Sequence, residues 1–265
     1  MIDTLLDSQV IFKRNLIKIV RLPEVLVFAM IQPIMFVLLF AYVFGSAITL
    51  QGTGYREFLI AGIFAQTTLF GATFTGAGIA DDMQKGVMDR FRSLPMSRSA
   101  VLIGRTLSDV VINLLSIFVM AMTGLAVGWR IRTSVLEAVA GLLILLFFAY
   151  SFSWVMAYIG LLVPTQESVQ NASFLVIFPA TFVANTFVPL ENLPRALKVF
   201  AEWNPVSTVT QATRELFGNT AGVKNPSTVW PIEHAAVYSI GWSLLLLTIF
   251  IPLSVRLYQR ASSKS

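Results

Sequence analysis

Six long apolar runs limit what this chain of 265 residues can fold into. They cover residues 25–47, 58–80, 106–128, 135–163, 172–188 and 235–255. An α-helix rises about 1.5 Å per residue, so about 20 apolar residues cross the hydrocarbon core of a bilayer. Hydrophobic residues make up 56% of the chain and charged residues only 12%, which excludes an ordinary soluble domain. The sequence therefore predicts an all-α integral membrane protein with six transmembrane helices.

Composition narrows the possible functions further. The chain has no cysteine, which excludes disulfides, a thiol redox pair and a thiolate metal site. It has a single histidine, His234, and because the common metal sites need several ligands together, no metal site is predicted. In a chain this hydrophobic, the net charge of +5 indicates attraction to anionic lipid rather than to nucleic acid.

Three segments lie outside the apolar runs, at residues 1–23, 81–105 and 189–233. None is long enough for a separate soluble domain, so residues 1–265 are expected to form a single transmembrane domain. Six spans place both chain ends on one side of the membrane. Twelve of the 19 lysines and arginines fall on that side, so the positive-inside rule predicts cytoplasmic termini and an extracytoplasmic 189–233 loop.

Residues 1–23 have the pattern of an amphipathic helix that lies flat in the cytoplasmic interface of the membrane. At about 100° per residue, one face carries Ile2, Leu5, Leu6, Leu16, Ile17 and Val20. The opposite face carries Asp3, Asp7, Arg14, Lys18 and Arg21. The acids come first and the bases last, which suits the helix dipole, and Pro23 ends the helix. Contact with lipid on one face and with a partner protein on the other both stay open.

The cytoplasmic segment 81–105 combines dense charge with a short apolar patch. Val87, Met88 and Phe91 are spaced as on one side of a short helix, between charged residues. A solvated loop has no need of three apolar residues at that spacing. We interpret this segment as a docking element for a cytoplasmic partner.

The outer segment 189–233 contains two short amphipathic patterns. The first helix is predicted from the apolar spacing of Leu193, Ala196, Leu197 and Phe200. Asn204-Pro205 is expected to end it, and a second helix is predicted over residues 206–217. Both helices are expected to lie in the outer interface of the membrane or to dip into it.

Charged residues are missing from the middle of the apolar runs. Asp109 and Glu137 fall near the ends of their runs, where they are expected to reach water or lipid headgroups. Intramembrane carboxylates are the usual sign of proton- or ion-coupled transport. Their absence argues against a transporter that an ion gradient drives.

Catalytic and nucleotide-binding motifs are missing as well. The sequence has no His-Glu-x-x-His zinc motif, no Gly-x-Ser-x-Gly nucleophile motif and no phosphate-binding loop ending in Gly-Lys-Ser or Gly-Lys-Thr. The chain is therefore predicted not to be an enzyme. If ATP drives its function, another chain must bind the ATP.

Small residues recur at helical spacing inside the apolar runs. Ala72 with Gly76, and Gly124 with Gly128, let neighbouring backbones approach closely. Two interpretations stay open for these four residues. They support helix packing within one subunit, or they line a subunit interface or a transport pathway.

Two segments resemble those of a known family. The stretch GVMDRFRSLPMSR at residues 86–98, followed by Gly104-Arg105, is similar to the cytoplasmic loop of type-2 ABC transporter permeases. The outer-loop motif of that family resembles Phe178-Pro179, Phe187-Val188-Pro189-Leu190, Leu193-Pro194, Asn204-Pro205 and Arg214. The similarity is strongest to the daunorubicin/doxorubicin-resistance branch and covers essentially the whole chain.

The resemblance implies a permease subunit of an ATP-driven exporter in a bacterial plasma membrane. Two permeases, identical or sister chains, would pair, each with a cytoplasmic ABC ATPase that binds ATP and Mg²⁺. No cofactor on this chain and no nucleic-acid partner are expected. The ATPase-coupling residues would be Gly86, Asp89, Arg90, Phe91, Arg92, Leu94, Pro95 and Arg98. The implied cargo is a hydrophobic or amphipathic small molecule, drug-like or lipid-like.

Two alternatives stay open at this point. The same architecture could export a lipid-linked polysaccharide, which a neighbouring glycan-biosynthesis cluster would favour. The chain could also be a membrane scaffold without transport activity, or an intramembrane enzyme. The absence of a co-purifying ATPase would favour this last interpretation.

Overall fold

The computed structural model describes residues 2–21, 23–44, 55–92, 97–220 and 227–261. Every regular element in these ranges is a helix, which confirms the predicted all-α class. In chain order the helices are α1 (Ile2–Arg21), α2 (Pro23–Leu39), α3 (Tyr55–Gln84), α4 (Val87–Arg92), α5 (Arg98–Ala126), α6 (Val135–Leu162), α7 (Gln166–Phe182), α8 (Arg195–Trp203), α9 (Pro205–Phe217), α10 (Trp230–Glu233) and α11 (Ala235–Ala261). A π-helical turn, Phe40–Phe44, continues α2, and a 3₁₀ turn, Leu190–Asn192, precedes α8.

Four of the six predicted spans are confirmed by helices long and apolar enough to cross a membrane. These helical segments are Tyr55–Gln84, Ser99–Ala126, Val135–Leu162 and Ala235–Arg260. The first predicted span falls on α2 and its π-helical turn, whose apolar part Met30–Val43 is shorter. The fifth falls on α7, which has 17 residues. That α2 and α7 also cross the membrane stays a prediction.

Local sequence signals explain where α9, in the 189–233 segment, begins and ends. Asn204 caps α9, because its side-chain oxygen accepts a hydrogen bond of 2.9 Å from the Val206 amide. Pro205 takes the first helical position, where its missing N–H is not needed. Gly218 ends α9 with a φ of 71°, a left-handed conformation that favours glycine. The predicted break between two helices at Asn204-Pro205 is therefore confirmed.

Helix α3 forms the centre of the bundle. Its buried residues extend from Tyr55 to Asp82, and it packs against α5, α6, α7 and α9. It approaches α6 closely at Gly76, where a Cβ atom would lie 2.5 Å from the carbonyl oxygen of Met156. A Cβ atom at Gly160 on α6 would in turn clash with the Gly76 backbone. The crossing of α3 and α6 therefore depends on the absence of side chains at both glycines.

An aromatic cluster fills the core at the end of the bundle that carries α8 and α9, called the outer end here. The rings of Phe64, Trp129 and Phe217 meet edge to face, with centroids 5.5 to 5.9 Å apart. The indole Nε1 of Trp129 also donates a hydrogen bond of 2.7 Å to Oδ1 of Asn219. Edge-to-face pairs stabilise by about 0.5–1.5 kcal/mol each beyond their burial. The cluster joins α3, α9 and the connection between α5 and α6.

The position of α9 differs from the predicted one at the surface, while a position that dips into the membrane stays a prediction. The helix does not lie at the surface, because it packs among α3, α6 and α11 and is buried on nearly every side. Polar residues are buried with it, and the hydroxyls of Thr210 and Thr213 donate to carbonyl oxygens one turn back at 2.8 and 2.7 Å. These bonds satisfy the hydroxyls inside the helix, so a polar helix can be buried. Helix α8 keeps an exposed apolar face, formed by Leu197, Val199, Phe200 and Trp203.

Arg214 fixes α9 in this position. Its guanidinium donates hydrogen bonds to the carbonyl oxygens of Phe58, Asn185 and Thr186 at 2.8, 2.7 and 3.1 Å. Its central carbon also lies 3.5 Å from the ring centroid of Phe58. Burial lowers the pKa of Arg214 to about 9, which still leaves the side chain charged at neutral pH. One side chain thus joins α3, α9 and the segment that follows α7.

Two arginines at the outer end are bound within the chain. The Arg132 guanidinium donates to both carboxylate oxygens of Glu57, with the shortest distance 2.7 Å. Arg130 donates a hydrogen bond of 2.7 Å to the Leu125 carbonyl near the carboxyl end of α5. Both arginines count against the predicted orientation by the positive-inside rule. Arg132 is thus paired with a carboxylate, and Arg130 meets the negative end of the α5 dipole.

Candidate functional site

The predicted coupling segment forms a tight turn followed by the short helix α4. Gly86 has a φ of 64°, a left-handed conformation that lets the chain reverse between α3 and α4. Arg90 is exposed on α4 and Phe91 is half-buried. For Asp89, Arg92 and Arg98 the structure describes the backbone alone. Leu94 and Pro95 lie outside the described residues.

The apolar spacing in α4 serves packing within the chain. Met88 is 2% exposed and packs in a cluster with Leu102, Trp154 and Tyr258, and Phe91 packs against the same cluster. The prediction that Met88 belongs to a patch for a partner protein is therefore wrong. The Met88 side chain belongs to a cluster with residues of α3, α5, α6 and α11, and this apolar contact holds α4 on the bundle.

The last turn of α3 carries two aspartates that bind bases of α1. Arg14 Nη2 lies 3.2 Å from Asp82 Oδ1, and Lys18 Nζ lies 3.4 Å from Asp81 Oδ2. Lys85, in the turn, also lies 2.8 Å from Asp81. The hydrogen bond to this carboxylate, and its charge, raise the pKa of Lys85 above its usual value. These ion pairs attach α1 to the end of the central helix.

Two further contacts of α1 reach the rest of the coupling segment. Asp7 Oδ2 accepts a hydrogen bond of 2.9 Å from the backbone N–H of Ser97, just before α5. The guanidinium carbon of Arg14 lies 5.0 Å from the ring centroid of Phe91 on α4, within the range of a cation–π contact. Helix α1 therefore contacts the segment before, within and after α4. The sequence analysis missed this arrangement, although Asp81-Asp82 and the bases of residues 1–23 are complementary.

The predicted amphipathic helix at residues 1–23 is confirmed as α1. Its buried side carries Ser8, Ile11 and Asn15 and packs on α5 at Gly104, where a Cβ atom would lie 2.7 Å from that of Ile11. Its exposed apolar residues are Leu6, Val10, Ile17 and Val20. The polar face thus meets this chain's own bundle. Contact of the exposed apolar face with lipid stays a prediction.

A double-mutant cycle tests the pair between α1 and α3. The side chain of Asp82 is 7% exposed and that of Arg14 is 34% exposed, so water screens the pair only in part. Arg14→Met and Asp82→Asn should show an interaction free energy of about 1 kcal/mol, measured by thermal unfolding of the purified protein in detergent. Lys13→Met is the matched control, because Lys13 is exposed and pairs with no acid among the described residues. Strictly additive effects of the two substitutions would contradict the pair.

A cavity of about 280 Å³ lies between α2, α3, α5 and α7. Four phenylalanines line it, namely Phe36, Phe70, Phe74 and Phe174. Its polar lining residues are Gln32, Gln66, Thr67, Thr73, Ser116 and Gln170. No acidic or basic residue is among the lining residues that the structure describes. Since Gln32, Gln170 and Phe174 are also exposed, the cavity opens at the surface between α2 and α7.

The glutamines of the cavity are candidate functional residues that the sequence analysis missed. Gln32 and Gln66 interrupt two of the apolar runs, and Gln170 precedes a third. Gln66 is 4% exposed and forms no hydrogen bond with any residue of the described ranges. Buried amides are normally hydrogen-bonded, so a glutamine within an apolar run is the signal that could have found this site.

The prediction that Asp109 reaches water or headgroups is wrong. Asp109 is 2% exposed on α5, where its carboxylate accepts a short hydrogen bond from the Thr75 hydroxyl of α3. Arg105 Nε lies 3.9 Å from the same carboxylate, and Arg105 Nη2 donates to the Phe74 carbonyl at 2.9 Å. The buried carboxylate therefore has a partly buried base beside it. One carboxylate is therefore buried inside the bundle, near the beginning of the predicted span 106–128.

Three of the four small residues singled out in the sequence contact other parts of the same chain, and Gly128 does not. Ala72 and Gly76 are buried on α3, and Gly76 lies at the crossing with α6. A Cβ atom at Gly124 would lie 3.2 Å from the Trp129 ring. Gly128 lies in the turn after α5 with a φ of 97°, so it does not share a helix face with Gly124. A role of these residues in a subunit interface or pathway stays a prediction.

Comparison with known families assigns the chain. The family model described as ABC-2 type transporter matches residues 7–217, which extend from α1 to the end of α9. The chain belongs to the ABC-2 type transporter family. The resemblance seen in the two loop motifs is thereby confirmed, and this ABC-2 chain is a multi-pass membrane permease of an ABC transporter.

Drug-resistance permeases are among the relatives of this ABC-2 chain. The daunorubicin resistance ABC transporter permease protein DrrB1 of Streptomyces coeruleorubidus is 32% identical over 241 residues, 91% of this chain and 82% of the relative. The probable doxorubicin resistance ABC transporter permease protein DrrC of Mycobacterium tuberculosis is 24% identical, over 89% of this chain and 82% of the relative. A putative transport permease of Cyanophora paradoxa is 24% identical, over 91% and 83%.

Proposed function

We propose that this ABC-2 permease is the membrane subunit of an ATP-driven exporter of hydrophobic or amphipathic small molecules. The observation that carries the proposal is the cavity between α2, α3, α5 and α7. Its lining combines phenylalanine rings with uncharged polar groups, which suits a cargo with apolar and polar parts. The names of the two drug-resistance relatives support a drug-like cargo.

A cytoplasmic ABC ATPase is the proposed partner at α4 and the turn before it. The contact would include Gly86, Arg90 and Phe91 from the described part of the segment, and Asp89, Arg92, Leu94, Pro95 and Arg98 from the motif. ATP and Mg²⁺ would be bound by the ATPase, because this chain lacks a phosphate-binding loop. Since α4 follows the end of α3 directly, through the turn at Gly86, a displacement of α4 would reach the central helix.

A second permease, a further copy or a sister chain, is proposed to pair along the face formed by α2 and α7. This face carries the opening of the cavity. It also exposes large apolar side chains on α7, namely Phe174, Leu175, Val176 and Phe178. Pairing at this face would bring two cavities together and shield them from lipid.

The chain is proposed to lie in a bacterial plasma membrane with both termini and α4 in the cytoplasm. The excess of bases on the side of the termini supports this orientation.

Reconstitution with the cognate ATPase tests the proposed function. Inside-out vesicles that contain the permease and its ATPase should accumulate daunorubicin, the drug in the relative's name, only when ATP is present. Accumulation should persist when a protonophore collapses the pH gradient. The control is an ATPase whose phosphate-binding lysine is replaced, which should reduce accumulation to the background of empty vesicles. Accumulation by this chain alone, driven by a pH gradient without nucleotide, would contradict the proposal.

A further inference from the structure

Two exposed arginines lie where α5 ends, at the outer end of the bundle. Arg56 Nη1 donates a hydrogen bond of 3.4 Å to the Val127 carbonyl oxygen, and Arg130 Nη1 donates one of 2.7 Å to the Leu125 carbonyl oxygen. Leu125 belongs to the last turn of α5, and Val127 caps this helix. The two guanidinium groups are therefore held at the same helix end.

No acid of the described residues balances the charges of these two arginines. Their acceptors are backbone carbonyl oxygens, and Glu57, the acid next to Arg56 in the sequence, is paired with Arg132. A guanidinium has five N–H donors. Arg56 uses Nε and Nη1 in these bonds and Arg130 uses Nη1, so both keep N–H groups for a ligand. The two side chains thus form a positively charged site that can donate further hydrogen bonds.

Exposed apolar side chains lead along the bundle surface to this charged site. Phe118, Met122 and Leu125 follow one side of α5 at spacings of four and three residues. Exposed Tyr42 follows α2, which packs against α5, and its ring centroid lies 5.2 Å from the guanidinium carbon of Arg56. Because α5 is long and apolar enough to cross a membrane, its end is expected near the level of the lipid headgroups.

We propose that the outer end of α5 is a binding site for an anionic phospholipid. Arg56 and Arg130 bind the phosphate group, because guanidinium N–H groups match phosphate oxygens in charge and geometry. The acyl chains lie along the exposed apolar side chains of α2 and α5. A lipid fits better than a soluble anion, because an apolar surface continues directly from the charged site. The proposal goes beyond the proposed function and holds for either orientation of the chain in the membrane.

Lipid titration of the purified full chain in detergent tests this site without ATP or the ATPase. The probe is dioleoyl phosphatidylglycerol, and native mass spectrometry measures the fraction of the protein that retains it. A basic side chain near a lipid surface strengthens binding about fivefold, so Arg56→Met and Arg130→Met should each raise the dissociation constant about fivefold. The double variant should raise it about 25-fold if the two contributions add.

Arg195→Met is the matched control, because Arg195 is an exposed arginine on α8 at the same end of the bundle. This variant should retain phosphatidylglycerol like the parent protein. Dioleoyl phosphatidylcholine has the same acyl chains but no net charge, and it should bind the parent about tenfold more weakly than phosphatidylglycerol. Added salt should weaken the binding of phosphatidylglycerol more than that of phosphatidylcholine, because salt screens exposed charges. The comparison of the two lipids tests the proposal even if a variant does not fold.

The same spectra distinguish the lipid from other occupants of the site. Glycerol 3-phosphate, added in excess, should not displace phosphatidylglycerol, because it has no acyl chains. Its displacement of the lipid would indicate a site for free phosphate and overturn the proposal. A dimer of the parent that the double variant abolishes, without retained lipid, would assign the surface to a second copy of the chain. Equal retention of phosphatidylglycerol by the parent and the double variant would also overturn the proposal.

Discussion

Arg214→Met is expected to destabilise the protein by about 3 kcal/mol, because it leaves the buried carbonyls of Asn185 and Thr186 without their hydrogen-bond donor. Methionine keeps much of the apolar part of the arginine side chain, so the loss of stability measures the contribution of the guanidinium group. Phe58 also loses its contact with the cation. For a chain of this size, the unfolding midpoint in detergent should fall by about 6–10 °C.

Arg195→Met is the matched control for Arg214→Met. Arg195 is exposed at the start of α8, at the same end of the bundle. Its replacement should change the midpoint by about 1 °C or less, because exposed positions without buried partners contribute little. Equal midpoints for the two variants would contradict the structural role of Arg214.

Gly76→Val is expected to have an effect of similar or larger size. The new Cβ atom would lie 2.5 Å from the Met156 carbonyl oxygen and 2.9 Å from a side-chain carbon of Val169. Because the first of these atoms belongs to the backbone of α6, the two helices would have to separate. Overpacking of this kind costs about 1–3 kcal/mol and occasionally more. Thermal unfolding, or the yield of monodisperse protein, measures the effect.

Gly241→Val provides the comparison for Gly76→Val. Gly241 lies within α11, and no atom lies within 4 Å of the position that its Cβ would occupy. The same substitution there should change the free energy of unfolding by only about 0.5 kcal/mol or less, and in the stabilising direction, because valine has a higher helix propensity than glycine. The pair of variants also separates the two interpretations of Gly76. Normal stability of Gly76→Val together with lost transport would favour a pathway residue over a packing residue.

Hydropathy predicted the helices well, because length and apolar content alone determine whether a segment can cross a bilayer. Four predicted spans coincide with long apolar helices, and the break at Asn204-Pro205 lies where the capping signals place it. Hydropathy could not predict the burial of α9. The threonine hydroxyls of α9 donate to carbonyl oxygens of the same helix, so the helix can be buried in the bundle. Its polar composition alone suggests an exposed helix.

The functional residues were harder to predict, because they depend on which helices meet. The apolar spacing of α4 has two physical explanations, a partner surface and internal packing, and the sequence pattern is the same for both. The structure assigns Met88 to the second. Gln66 was missed, and the surroundings of Asp109 were predicted wrongly, because the contacts of a polar residue in an apolar run depend on the helix that packs against it. For Asp109 that helix is α3, which supplies Thr75.

The contacts of Arg214 restrict the motions that are open to this permease. The guanidinium of Arg214, on the buried helix α9, binds three carbonyl oxygens. One belongs to the first turns of the central helix and two belong to the segment after α7, so these three parts are held in fixed relative positions. Local opening of α9 would break all three hydrogen bonds at once and leave the guanidinium charge without these acceptors. For the proposed export by paired chains, we therefore expect whole chains to rotate against each other, with each outer half moving as a rigid body.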